Sequence, residues 1–442
     1  MRIAVVGGGI AGLSAALRLS ERHDVTVFER EAQPGGKIRS QSLDGFLFEW
    51  GPNGFLSTAF ELQSLAKACG LENELVTAHE AAAKRYVYYA GRLHPLPSSP
   101  PAVLRMSLLT VRGKLRALRA LGARPKAGAS EESVHEFFAR RFGDEVADRI
   151  AAPVLLGISA GNARATSLDA LFPRLRELER EHGSLLRALI RSRRPPGRLT
   201  TVRGGGMARL TEALARALDS RFQRSSAVRR IARNGASWRV EHAGGELGAD
   251  AVVLAAPAYT AAALLDESDP ELAELLRNIP YAPMRVAGIA FRASEGRAQF
   301  DGFGFLAARG QGVRILGALY TSTMFPEQAP PGSAYLRVFL GGAEDPTAME
   351  LSSEAARSVV RADLKTTLGI SAEPIAFHEH LWPHAIPQYT LGHSALLREI
   401  DARLLSLPGL ALTGNAYRGI SVGDSVRDAA AVADRLALLS NE

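Results

Sequence analysis

An α/β fold with an inserted sheet and a helical region is predicted from three observations. A strand, a glycine loop, a helix and a second strand open the chain. Amphipathic helical patterns fill much of residues 93–200, and strand-like segments such as "MRVAGIAFR", "VRILGALY" and "AYLRVFLGG" dominate from about 260 to 390. At 442 residues the chain is long enough for two or three packed units. Its 46% hydrophobic and 22% charged residues describe a globular protein, not a disordered or fibrous one. Cys69 is the only cysteine, so no intrachain disulfide forms, which favours a reducing compartment. The opening apolar run leads into a glycine loop and does not read as a secretory signal. The longest apolar stretch, "IAAPVLLGISAG", is too short to span a bilayer.

The first element is "RIAVVGGGIAGLSAALRLSERHDVTVFER". Ile3 to Val6 form an apolar strand, and Gly7, Gly9 and Gly12 occupy the G-x-G-x-x-G positions of a dinucleotide loop. Gly7 permits the tight turn, Gly9 lets backbone approach a pyrophosphate, and Gly12 lets the helix pack on the strand. Gly8, Ile10 and Ala11 complete the loop and the first helical turn. Glu29, with Arg30 beside it, ends the next strand where an acid bonds the adenosine ribose. Alone the glycine pattern also fits a structural turn; strand, helix and acid in sequence make it a nucleotide site. "REAQPGGKIRS" follows, and Gly36 with Lys37 resembles the extended fingerprint of FAD enzymes of the amine-oxidase superfamily. That resemblance selects FAD over a nicotinamide cofactor.

A second glycine loop, Gly204–Gly206 before "MARLTEALARAL", lacks the third fingerprint glycine, so its helix is assigned to the same FAD domain. "AVVLAAPA" reads as a buried strand returning to the nucleotide sheet. One fingerprint implies one dinucleotide. The net charge of +7 is concentrated in two stretches. The first holds Arg105, Arg112, Lys114, Arg116, Arg119, Arg124 and Lys126; the second holds Arg187, Arg191, Arg193, Arg194, Arg198 and Arg203. Neither carries aromatics or a nucleic-acid motif, so nucleic acid is not expected. A solvated helical face, an anionic membrane surface and an anionic substrate all remain open. "RSRRPPG" (191–197) breaks the helical pattern and reads as a loop.

Several stretches together resemble the protoporphyrinogen oxidase family: "EWGPNGF", "AAAKRYVYYAGRLHPLP", "GISAGNARATSLDALFPRL", "GFGFL", "ILGALYTSTMFPEQAP", "WPHAIPQYTLGH" and "GNAYRGISVGD". They run in family order over almost the whole chain. The resemblance implies an α/β fold with a Rossmann-like FAD-binding domain, an inserted mixed-sheet substrate domain and an α-helical membrane-binding domain. The expected FAD parts are 1–75, 200–260 and 393–442, the substrate parts 76–92 and 261–392, and the helical, membrane-associating part 93–199. It implies oxidation of protoporphyrinogen IX to protoporphyrin IX in haem biosynthesis by three two-electron steps, with dioxygen as acceptor and hydrogen peroxide as product. A place in the cytoplasm, peripheral on the inner face of the cell membrane, goes with it; a homodimer is left open.

Matched position by position, Arg85 falls where the family holds a substrate propionate. Phe303, Leu306, Leu319 and Phe339 match apolar positions that sandwich the macrocycle, and by spacing alone they read equally as core. Gly157 and Gly161 match places where backbone approaches flavin and substrate. Gly51, Pro52, Asn53, Gly54, Val228 and Trp382 are expected along the cofactor, with Asn415, Ile420, Ser421 and Val422 along the flavin. The helix after that last loop points its N-terminus toward the ring, where its dipole favours negative charge. Asp424 either caps this helix or bonds the ribityl chain. Some members carry an arginine where this chain has Asn53, so the second propionate lacks an evident partner. Coproporphyrinogen III is therefore an alternative substrate, and a flavin-free prenyl-binding protein of the GDP-dissociation-inhibitor type is a more distant alternative. His378, His380 and His384 alternate in a way that could bind metal, but a polar strand-end cluster is the preferred reading, and no metal is expected. His393 reads as structural.

Overall fold

The computed structural model describes residues 1–97, 102, 105–120, 130–183, 197–294 and 300–439. Arg124, Lys126, Arg187, Arg191, Arg193 and Arg194 of the basic stretches, and nearly all of the expected loop 191–197, lie outside the described residues. The nucleotide sheet has five parallel strands. In order they are Phe222–Gln223, Asp24–Phe28, Arg2–Val6, Ala251–Leu254 and Leu410–Leu412. The central strands, Arg2–Val6 from Ile3 onward and Ala251–Leu254, are continuous apolar runs because helices cover both faces. Helices Ile10–Leu19, Met207–Leu218 and Val422–Leu439 bury Leu13, Leu210, Leu214, Val432 and Leu436 against one face. Helices Ala258–Leu265 and Pro270–Arg277 cover the other. The helix after the second glycine loop thus belongs to the nucleotide unit.

A second, seven-stranded mixed sheet stands beside it. Its order is Ala376–Pro387, Tyr281–Arg292, Ser333–Gly341, Gly317–Leu319, Gly304–Ala307, Arg85–Tyr89 and Arg92–Pro95. Arg92–Pro95 pairs antiparallel with Arg85–Tyr89, so the boundary expected after residue 92 falls inside a hairpin. Likewise residues 261–277 pack with the nucleotide core, and the second sheet resumes only at Tyr281. Both differences arise because tertiary packing, not a change of composition, closes a domain. The sheet's two faces are covered differently. Helix Ser353–Leu368 packs Val360 and Leu364 on the face that carries Ala287, Ile289, Leu336 and Val338. The hairpin Ser40–Leu43 and Phe46–Glu49, with Trp50, covers the face that carries Tyr335 and Phe339.

The helical region packs around Phe137, Leu155 and Leu168 and buries a network of charge. Arg140 reaches both Glu132 and Glu179, and Arg176 reaches Glu132, Asp169 and Glu179. Burial would raise the Glu132 carboxyl, but the hydrogen bonds from Arg140 and Arg176 prevail and hold it at about 2. No helix among the described residues is long and apolar enough to cross a membrane.

Candidate cofactor and substrate site

A cavity of about 570 Å³ opens along the C-terminal ends of the nucleotide strands, where α/β sheets place their ligands. Gly7, Gly9, Ile10 and Ala11 line it, as do Glu29, Arg30, Gly36, Lys37, Pro52, Val228, Trp382, Asn415, Ile420 and Val422. Gly7 takes φ +111, and a Cβ there would meet the Ala255 carbonyl at 3.0 Å. At Gly9, in contrast, nothing lies within 4 Å of an added Cβ, so the loop leaves room on the side where a phosphate would approach. Gly12 is a packing glycine, since its Cβ would fall 2.0 Å from the Gly7 carbonyl oxygen. Gly8 packs on Phe222 and Glu29, not on the cavity.

The Glu29 carboxylate is aimed by two backbone donors. Gly8 N–H donates to one oxygen at 2.7 Å and Glu31 N–H to the other at 2.9 Å. Each oxygen keeps a lone pair for a ribose hydroxyl. Lys37 is largely buried; its Nζ donates to the Ala385 carbonyl at 2.6 Å and lies 4.8 Å from the Tyr281 ring centroid. Burial lowers its pKa to about 8, the signature of a cation short of an anionic partner. Trp382 donates its indole N–H to the Trp50 carbonyl at 2.8 Å, which fixes the ring at the cavity wall. The Glu29 acceptor oxygens, the Lys37 cation, the open loop and the helix N-terminus at Val422 fit a dinucleotide with a diphosphate and a flavin.

Other expected residues act at one remove. A Cβ on Gly51 would meet the Lys37 carbonyl oxygen at 1.8 Å and one on Gly54 the Thr200 carbonyl oxygen at 2.4 Å. Both let segments cross; neither lines the cavity. Ser421 is spent on helix capping: its hydroxyl donates to Asp424 at 2.6 Å and accepts from the Asp424 N–H at 3.0 Å. Asp424 is thereby assigned to the cap. Gly161 makes room for Gln388, whose Oε1 would lie 2.6 Å from a Cβ there. Gly157 abuts Leu306 instead, at 2.6 Å for the equivalent atom.

Among the described residues no three His, Cys, Asp or Glu side chains converge as a metal site. His378 pairs with Asp44 at 2.7 Å, His380 stacks on Trp50 with centroids 6.0 Å apart, and His384 lies against Tyr259 at 4.7 Å. His380 and His384 line the cavity, as do Tyr259 and Pro257; the sequence reading missed all four as cofactor neighbours. His393 stacks on Tyr389 at 4.1 Å inside the fold.

The substrate candidates gather on one face of the second sheet. Register places Arg85, Gly304, Leu319 and Arg337 in one cross-strand row. Leu306, Gly317 and Phe339 form the next row on that face. Arg85 lies 4.9 Å over the Phe303 ring and forms no ion pair among the described residues, whereas Lys84 is engaged by Asp301.

The flavin-containing amine oxidoreductase model matches residues 10–437. The chain belongs to that family. Its cofactor is FAD, and the flavin-free alternative is set aside. Among relatives, it is 30% identical to a Bacillus subtilis (strain 168) protein named coproporphyrinogen III oxidase, over 99% of this chain and 98% of that one. It is 32% identical to the Bos taurus protein named protoporphyrinogen oxidase, over 98% of each. A crystal structure from Exiguobacterium sp. 255-15, provisionally assigned as a protoporphyrinogen oxidase, superposes with a TM-score of 0.85 at 25% identity over 99% of both chains. The amine-oxidoreductase fold, with mixed sheets beside the nucleotide domain, is thus shared over the full length.

Proposed function

We propose that this flavoenzyme oxidises protoporphyrinogen IX to protoporphyrin IX in three two-electron dehydrogenations. When bound, FAD supplies the two-electron redox chemistry, and dioxygen takes the electrons and two protons to become hydrogen peroxide, one per dehydrogenation. The observation that carries this reading is the sheet face beside the cofactor loops. It sets Arg85, which forms no ion pair among the described residues, at one end of an apolar platform of Leu306, Leu319 and Phe339. A flat apolar macrocycle with carboxylate side chains matches such a surface. The platform excludes water, Arg85 takes a propionate in two hydrogen bonds, and the macrocycle is thereby oriented. Relatives named for this substrate over nearly full length support the assignment.

Coproporphyrinogen III is the second reading. It is favoured by the Bacillus subtilis relative and by a second arginine in the same cross-strand row. Purified protein given each porphyrinogen under air should develop porphyrin fluorescence, and the faster substrate is the assigned one. A rate no higher than autoxidation on both removes the proposal. Arg85→Ala should raise KM about tenfold or more with little change in kcat.

A peripheral site on the inner face of the cell membrane is part of this proposal, with residues 93–199 as the contact. Helix Val111–Arg119 exposes Val111, Leu115 and Leu118 among Arg112, Lys114, Arg116 and Arg119. An apolar ridge set among cations suits an anionic bilayer surface. Cosedimentation with vesicles should rise with anionic lipid content, and indifference to that content counts against it.

A further inference from the structure

Arg337 is a buried cation whose partners among the described residues are neutral. It lies at the centre of the second sheet, 1% exposed, on the face turned to the cofactor loops. Its guanidinium donates to the Asn53 side-chain oxygen at 2.7 Å and to the Gly51 carbonyl at 2.8 Å, and its central carbon lies over the Phe339 ring, 5.3 Å from the centroid. Among the described residues it forms no ion pair. Its Nε, the Asn53 amide nitrogen and the Tyr335 hydroxyl are all buried without a hydrogen-bond partner. The acid whose charge reaches Arg337 does not serve as its partner. Glu49 is held by the Ser40 hydroxyl and the Met207 N–H, and burial makes it a weak acid.

A guanidinium without a counter-charge is costly to bury, and a fold that tolerates one keeps it for a purpose. The location indicates which. Gly51 and Asn53 flank Pro52, which lines the cofactor cavity, while Leu319 and Phe339 belong to the apolar platform. Arg337 and Arg85 share one cross-strand row, three strand spacings of about 4.8 Å apart, with Leu319 between them.

We propose that Arg337 is a positioning residue at the junction of cofactor and substrate, and that its counter-charge arrives with a ligand anion. It holds the Gly51–Asn53 loop, and its charge serves either a carboxylate of the substrate or the negative charge of the reduced flavin. The first source rests on the porphyrinogen reading; the second rests only on the flavin.

Three variants of the FAD-loaded protein test this: Arg337→Met, Arg337→Lys and Asn53→Asp. The last places a carboxylate on the guanidinium, so it should raise the melting temperature while removing the free charge. Two quantities are read. One is the flavin midpoint potential without substrate. The other is the dissociation constants of protoporphyrin IX and of its dimethyl ester. If the anion is a substrate carboxylate, the diacid binds at least tenfold more weakly to R337M and N53D. The ester and the potential then hold, and R337K recovers most of the loss. If it is the flavin's charge, the potential drops by about 30 mV, the equivalent of tenfold for a two-electron couple, and porphyrin binding holds. The proposal is overturned if N53D is stabilised with both quantities unchanged, or if acid and ester weaken equally at constant potential. Should R337M not fold, N53D alone decides. Should the parent protein bind neither porphyrin, the porphyrinogen reading falls and the potential alone decides for Arg337.

Discussion

The two faces of the second sheet each bury an arginine, and they treat it in opposite ways. On the face covered by helix Ser353–Leu368, Arg285 donates to Glu379 at 2.7 Å and to the Leu351 carbonyl, and Glu379 also accepts from Ser353 at 2.7 Å. On the face covered by the cofactor loops, Arg337 meets only neutral oxygens. Both side chains are 1% exposed, so burial alone does not separate them. The difference is that the first guanidinium meets a carboxylate of its own chain, whereas the second, among the described residues, meets none. The helical region repeats the first pattern, with Glu132, Glu179 and Asp169 answering Arg140 and Arg176. Charge buried for structure is paired within the chain.

The largest test breaks the paired face. Glu379→Ala leaves Arg285 buried without its acid and should cost about 3–5 kcal/mol of unfolding free energy by denaturant titration. The flavin potential should not move. On the cofactor face the corresponding effect follows pH. Burial pushes the Glu49 carboxyl up to about 7 despite hydrogen bonds from Ser40 and Met207. Because the folded value lies above the ordinary one, protonated Glu49 contributes fully below about pH 4.5, and the contribution is lost as pH rises through about 7. Its size is on the order of 3 kcal/mol. Denaturant midpoints between pH 4.5 and 8 should fall in the parent protein and flatten in Glu49→Gln.

Lys37 sharpens the comparison next. With its pKa lowered to about 8, it is charged below that pH and neutral above it. FAD affinity of the apoprotein should decline as pH rises past 8, and Lys37→Met should weaken binding about tenfold, or about 1.4 kcal/mol, at pH 7. The smallest effect comes from replacing the whole pair. Arg285→Met with Glu379→Leu should stay within about 1 kcal/mol of the parent or exceed it, because two desolvation penalties disappear together. A loss as large as that of Glu379→Ala would mean that the pair does more than satisfy itself.

The nucleotide half of the site was largely legible in the chain. Gly7, Gly9, Glu29 and Lys37 act through local spacing, and local spacing is what a linear sequence displays. Asn415, Ile420 and Val422 were legible only through a family resemblance, and their positions on the cavity follow it. Gly51, Gly54 and Gly161 were expected at the ligands and instead admit neighbouring backbone or Gln388, because a missing Cβ looks the same in sequence whatever fills the space. Ser421, expected along the flavin, uses its hydroxyl in the helix cap with Asp424 and is not among the residues lining the cavity.

His380, His384 and Tyr259 could not be found from pattern. The two histidines reach the cavity because Ala376–Pro387 pairs with Tyr281–Arg292 and brings that edge strand against the nucleotide unit, whereas Tyr259 arrives from helix Ala258–Leu265 of that unit. Arg337 is the clearest case. Its neighbour Asn53 is 284 positions away, and nothing in "AYLRVFLGG" distinguishes it from a strand arginine facing water. The sequence by itself determined the nucleotide fold, the cofactor class and the order of the family's segments, because these depend on short-range backbone geometry. Only the tertiary structure decided which face of the second sheet each arginine occupies and whether an acid meets it there. Strand register and sheet packing set that pairing, and both are long-range properties.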